Sequence, residues 1–412
     1  MLDSSTKDNR HPSAPLTSLT TIFLAFLRLG LTSFGGPIAH IAYFRDEFVG
    51  RRKWIDEGAY ADLVALCQFL PGPTSSQVGL GVGLARGGLL GALVAWIGFT
   101  MPSAISLILF GYGVIAYQDV INPGALHGLK VVAVAVVAQA VWVMARNLCP
   151  DAKRATIAIA GACFVVASPT AFSQVGVIVT GGLAGLLFLR SKQPAKVNPL
   201  GIRVNHNLAI ASLLLFFVGL IGLPILATAY DSHLLALIES FYSSGSLVFG
   251  GGHVVLPLLQ YEVVPPGWIP NDMFLAGYGA AQAVPGPLFA FAAYLGTVLE
   301  MELNGWIGGL ICLIAIFVPS FLLVIGVLPF WDSLRQASNM QTALLGINAA
   351  VVGLLLAALY QPVWISAILS PLDFCLALIA YLLLVFWKIP PWLVVIFSGV
   401  GGWATETIIK AL

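Results

Sequence analysis

One short pattern occurs twice in this chain, and it limits the fold more than any other feature. Phe34-Gly35-Gly36 recurs as Phe249-Gly250-Gly251, an offset of 215. Gln68 followed by Pro71-Gly72-Pro73 recurs as Gln282 followed by Pro285-Gly286-Pro287, and Trp54 recurs as Trp268, both at an offset of 214. Pro102-Ser103 returns as Pro319-Ser320, and Gly128 as Gly346. Five matches in register with a slowly drifting offset identify an internal duplication. The expected organisation is a tail over 1–16, a first repeat over 17–190, a linker with one extra apolar run over 191–232, and a second repeat over 233–412.

What the repeats are made of follows from charge. Only 9% of the 412 residues are charged and 59% are hydrophobic. A soluble domain carries about 25% charged residues, so this chain cannot cover a water-facing surface of its size. Soluble enzymes, nucleic-acid binders and disordered proteins are excluded on that ground. The apolar runs are roughly 17–28 residues long and rich in Leu, Ala, Ile and Gly, which is the pattern of helices in a bilayer rather than barrel strands. The expected class is an all-α polytopic membrane protein. Its five cysteines form no CxxC pair and read as small apolar residues. The polar N-terminus lacks the apolar core of a signal peptide.

One added crossing between two equivalent halves inverts the second relative to the first. Loop charge agrees, because Lys and Arg are retained in the cytoplasm. The loop after the first FGG carries Arg45, Arg51, Arg52 and Lys53, and its counterpart over 261–272 carries no Lys or Arg. The halves are therefore expected to be antiparallel, with parallel duplication and charge loss as the alternative. Basic clusters at Lys7/Arg10 and at 45–53 would face opposite sides if every run spanned. The conflict disappears if 17–48 and 59–86 are re-entrant hairpins with tips at the FGG and PGP motifs. Glycine and proline supply the backbone freedom and missing donor that such breaks need. The other possibility is more full crossings with kinks. The expected location is a bacterial inner membrane, with the N-terminus cytoplasmic.

Interrupted helices at bilayer depth expose amides at half-helix N-termini, which attract anions. The candidate substrate site is built on Gly35, Gly36, Pro71, Gly72, Pro73, Thr74, Ser75, Ser76 and Gln77 of the first half, with Gly250, Gly251 and Gly286 of the second. Thr74 to Gln77 place three hydroxyls and an amide in one turn, whereas the second half has Leu288-Phe289-Ala290-Phe291 there. Ordinary N-capping by Thr74 or Ser75 is the plainer reading. Arg28 and Lys130 are the intramembrane cations, a costly placement that marks function. Lys130 could instead snorkel to the interface, and Arg28 could pair with Asp62. Proton-coupling or gating candidates are His40, Asp46, Glu47, Asp62, His253 and Glu262, with a structural role favoured for the two histidines. No ATP-binding, hydrolase or metal-binding motif is present, so neither an enzyme nor a cofactor nor a metal is expected.

The same residues resemble a known family. FGGP over 34–37, RDEFV with Trp54, and QFLPGPTSSQ over 68–77 are similar to the first-half signature of the chromate ion transporter family. FGGGHVVLPLL over 249–259 and QAVPGPLFAFAAYLG over 282–296 are similar to its second-half signature. The resemblance covers about 17–410 and matches the long, two-domain members. It implies chromate export driven by membrane potential or a proton gradient. Sulfate, an isostere, is the expected analogue. An anion channel and a membrane sensor remain open alternatives, as do monomer and homodimer. The partners implied are the oxyanion and the lipid bilayer, with proton coupling open and no nucleic acid.

Overall fold

The computed structural model describes residues 17–117, 122–168, 170–190, 202, 204–230 and 232–411. The tail 1–16, with Lys7 and Arg10, and most of the basic linker 191–203 lie outside the described residues. The described residues contain helices and no strand.

The first half opens with α1 (Leu19–Thr32), α2 (Gly36–Phe44) and a π-helical turn over Arg45–Arg51. There follow α3 (Glu57–Phe69), α4 (Thr74–Ala116), α5 (Pro123–Leu148), α6 (Ala152–Ala167) and α7 (Ala171–Phe188). Side chains set the starts: Ser18 Oγ accepts from the Thr21 amide, and Asp56 Oδ1 from that of Ala59. A single helix, α8 (His206–Ala229), joins the halves. The second half comprises α9 (His233–Leu247), α10 (Val255–Val263), α11 (Asn271–Ala281), α12 (Phe291–Thr297), α13 (Gly305–Val327), α14 (Trp331–Leu334), α15 (Ser338–Ala358), α16 (Ile365–Ala367), α17 (Pro371–Val385) and α18 (Pro391–Ala411). Five helical stretches are long and apolar enough to cross a membrane: 74–116, 123–148, 206–229, 305–334 and 338–367.

The hairpins are re-entrant. The Thr17 amide donates to the Arg86 carbonyl at 3.0 Å, and Arg86 Nε to Thr17 Oγ1 at 3.1 Å. The Trp54 ring lies 5.0 Å from the Arg52 guanidinium and 6.0 Å from that of Arg86. The entry of α1, the loop before α3 and the first break in α4 therefore meet at one face. The chain goes in and comes back twice between residues 17 and 86. The break in α4 falls at Gly87-Gly88, where both residues leave helical geometry. In the second half the Glu300 amide donates to the Trp268 carbonyl at 2.9 Å, which brings both ends of the α11–α12 hairpin to one face.

Orientation follows from α13 and the part of α4 beyond Gly88, which are repeat counterparts. Trp96 packs on Phe317 and Phe321, Ile108 lies near Gly309, and Tyr112 Oη accepts from the Trp306 amide at 3.0 Å. Residue numbers rise along one helix as they fall along the other, so the counterparts run antiparallel and the halves are inverted. The outer helices are exchanged between halves. α5 packs on α17 and α18, and α15 packs on α6 and α7. Both seams run on glycine: a Cβ at Gly128 would lie 2.0 Å from the Ser398 carbonyl oxygen, and one at Gly346 2.0 Å from that of Gly181.

Candidate functional site

The four hairpin tips meet in pairs across the halves. The Gly72 amide donates to the Val248 carbonyl at 2.7 Å, and the Gly286 amide to the Ser33 carbonyl at 2.9 Å. Each PGP tip thus holds the residue that precedes the FGG tip of the other half. Both glycines adopt positive φ, +121° and +102°. A Cβ on Gly72 would lie 2.7 Å from both Gln77 Nε2 and Ser320 Oγ. One on Gly286 would lie 2.9 Å from Ser103 Oγ. Only glycine fits either position. The amides of Gly72 and Gly286 are engaged between tips, so these residues shape the junction rather than offering donors to a ligand.

The second arm of every hairpin starts at a tip, which brings the N-termini of α2 and α4 and the short turns leading into α10 and α12 to the same region. Thr74, Ser75, Ser76 and Gln77 are all buried. The N-cap position of α4 is Pro73, and no side chain caps it, so the capping role open to Thr74 or Ser75 is not taken. Pro71 instead accepts from Gln77 Nε2 at 2.7 Å. His40 Nε2 lies 3.2 Å from the Ser33 carbonyl, which can only accept; Nε2 therefore carries the proton and Nδ1 accepts from Ser75 Oγ at 3.3 Å. Gly36 and Gly251 are half-buried beside the tips, and Gly35 and Gly250 are exposed.

Several buried polar atoms have no hydrogen-bond partner among the described residues. They include Ser33 Oγ, Ser76 Oγ, Gln77 Oε1, Thr100 Oγ1, Gln282 Nε2 and Ser320 Oγ. Native interiors leave few such atoms, and a cluster of them calls for a ligand or water. Ser33, Thr100, Gln282 and Ser320 were not among the sequence candidates. The repeated Pro-Ser pair was the available signal for Ser320, and it marked only the duplication.

The cations lie elsewhere. Arg28 is exposed, off the buried stripe of Ile22, Ala25, Phe26 and Leu29. Lys130 Nζ pairs with Asp272 Oδ1 at 2.9 Å, tying α5 to α11. Asp62 pairs with Arg335 at 2.7 Å rather than with Arg28, tying α3 to the segment after α13. These two inter-half ion pairs lie toward opposite faces. Glu47 accepts from Arg51 Nε at 2.7 Å and from Arg52 Nε at 2.6 Å at the basic face. Burial pushes its carboxyl up, but the two arginines outweigh burial and hold it below its ordinary value. Asp46 is exposed. Its repeat equivalent region has no arginines, and Glu262, the counterpart of Glu47, faces Glu239 across Ser240. His253 Nδ1 lies 2.9 Å from Tyr278 Oη. No group of three or more His, Cys, Asp or Glu able to hold a metal occurs among the described residues.

Comparison with known proteins gives the same twofold division. The family model described as Chromate transporter matches twice, at residues 20–186 and 235–403. The chromate transport protein of Pseudomonas aeruginosa is 26% identical over 94% of this chain and 93% of its own length. The probable chromate transport protein of Synechococcus elongatus is 28% identical over 86% of each. The chromate transport protein of Cupriavidus metallidurans is 24% identical over 83% of this chain and 82% of its own length. No solved structure matches the chain.

Proposed function

We propose that this chain, which belongs to the chromate transporter family, exports chromate from the cytoplasm by alternating access across a bacterial inner membrane. The carrying observation is the group of unpartnered buried hydroxyl and amide side-chain atoms, several of them at the junction where half-helix N-termini meet. Helix amides and hydroxyls suit a tetrahedral oxyanion, and sulfate is the natural analogue. Ser76 Oγ, which is unpartnered, supplies the first-half donor, while Ser75 Oγ and Gln77 Nε2 line the same turn engaged with His40 and Pro71. The basic face, with Arg45, Arg51, Arg52, Lys53 and Arg86, is cytoplasmic in this reading, by the retention of Lys and Arg on that side.

Export of an anion from a negative-inside cell runs downhill, by about 2.3 kcal/mol per charge for each 100 mV. Voltage alone can therefore drive the step, and a proton gradient can add to it. The two inter-half ion pairs act as alternating struts: Asp62–Arg335 closes the cytoplasmic side and Lys130–Asp272 the opposite side. Cells producing the protein should accumulate less chromate than control cells, and collapsing the membrane potential should erase the difference. Equal accumulation in both would overturn export.

A further inference from the structure

We propose that Ser320 is a substrate ligand, so that the oxyanion site is closed by a hydroxyl from the half opposite to the one supplying its helix N-terminus. The inference rests on the tips being the oxyanion site. Ser320 is fully buried on α13, and its Oγ has no partner among the described residues. A helical serine ordinarily returns its hydroxyl to a carbonyl three or four residues back. Ser103, the repeat counterpart, does so, donating to the Thr100 carbonyl at 2.8 Å. Ser246 does the same to Tyr242. Ser320 does not. A buried hydroxyl left unpaired destabilises a protein relative to alanine, so its presence calls for a compensating ligand.

Its position identifies that ligand. Ser320 Oγ and Gln77 Nε2 each lie 2.7 Å from the point that a Cβ on Gly72 would occupy. Ser320 therefore sits at the start of α4, beside the uncapped first turn that carries Ser76, whose Oγ is also unpartnered. A hydroxyl of the second half thus lies beside the helix N-terminus of the first, whose opening turn also carries the unpartnered Ser76 Oγ. Lys130 and Arg335 are held by Asp272 and Asp62, so the donors are neutral dipoles. Such a set fits a tetrahedral oxyanion, which offers only acceptor oxygens.

The arrangement is not duplicated. At the second PGP turn the nearby hydroxyl is that of Ser103, already engaged, and the turn that follows is Leu288-Phe289-Ala290.

The test compares Ser320→Ala, Ser320→Cys and Ser103→Ala in reconstituted vesicles with chromate as substrate. Both Ser320 variants should raise KM about tenfold, with kcat within about twofold. Ser103→Ala should keep the parental KM. Without chromate, Ser320→Ala should melt at the parental temperature or above it, while showing a smaller rise in Tm with chromate than the parent. A merely structural serine would move stability and leave KM alone. Parental KM in either folded Ser320 variant would overturn the proposal. Absence of chromate flux in the unaltered protein would instead overturn the reading of the tips.

Discussion

The Gly72 amide and the Val248 carbonyl are 2.7 Å apart, although one belongs to the first repeat and the other to the second. Gly286 and Ser33 make the reciprocal bond at 2.9 Å. These two contacts clasp the tips across the pseudo-two-fold, and they make each half incomplete without the other. Displacement of one hairpin must break or carry its partner in the opposite half.

Gly72→Ala tests that clasp. The substitution forces a side chain into positive φ and into contact with Gln77 and Ser320. The expected cost is about 1–3 kcal/mol for the backbone alone. Thermal unfolding of the purified protein should show a lowered Tm together with loss of transport. A variant as stable and active as the parent would remove the clasp from the account.

The two struts should differ in worth. Asp62 is 2% exposed and Asp272 is 72% exposed. Removing one partner of a buried pair costs about 3–5 kcal/mol; Asp272 sits at the solvent edge, so although Lys130 is only 10% exposed, water can take the place of that carboxylate and the loss is smaller. Asp62→Asn should therefore destabilise far more than Asp272→Asn in parallel denaturation curves. Equal losses would place the two pairs in similar environments and contradict the structure.

Arg28→Ala should leave the KM for chromate within about twofold of the parent, because α1 turns that side chain away from its buried face. A large rise in KM, measured in the same vesicles, would restore the arginine to the site.

Acid should weaken the loop of the basic face. The Glu47 carboxyl is held below its ordinary value by Arg51 and Arg52, against the effect of burial. A depressed carboxylate stabilises above its ordinary range, and that contribution is lost as pH falls through the folded-state value. Glu47→Gln should lower Tm at neutral pH, and the gap from the parent should close on acidification. A gap that stayed constant down to acid pH would assign the loss to shape rather than charge.

Much of this architecture was legible in the sequence because glycine and proline act through the backbone. The FGG and PGP tips and the inversion follow from residues whose conformational demands are local, or from loop charge. Side-chain direction was less legible. α1 is apolar on nearly every side, so its pattern does not say which way Arg28 points. Ser320 was visible only as half of a repeated Pro-Ser pair. Asp62 meets Arg335 across 273 positions of chain, and no local spacing signals such a contact.

Chromate flux into or out of proteoliposomes, driven by imposed voltage with pH gradients and sulfate varied independently, tests the central claim most directly. The account predicts saturable, voltage-driven chromate movement that sulfate inhibits. Absence of chromate movement under any voltage or pH gradient would contradict it.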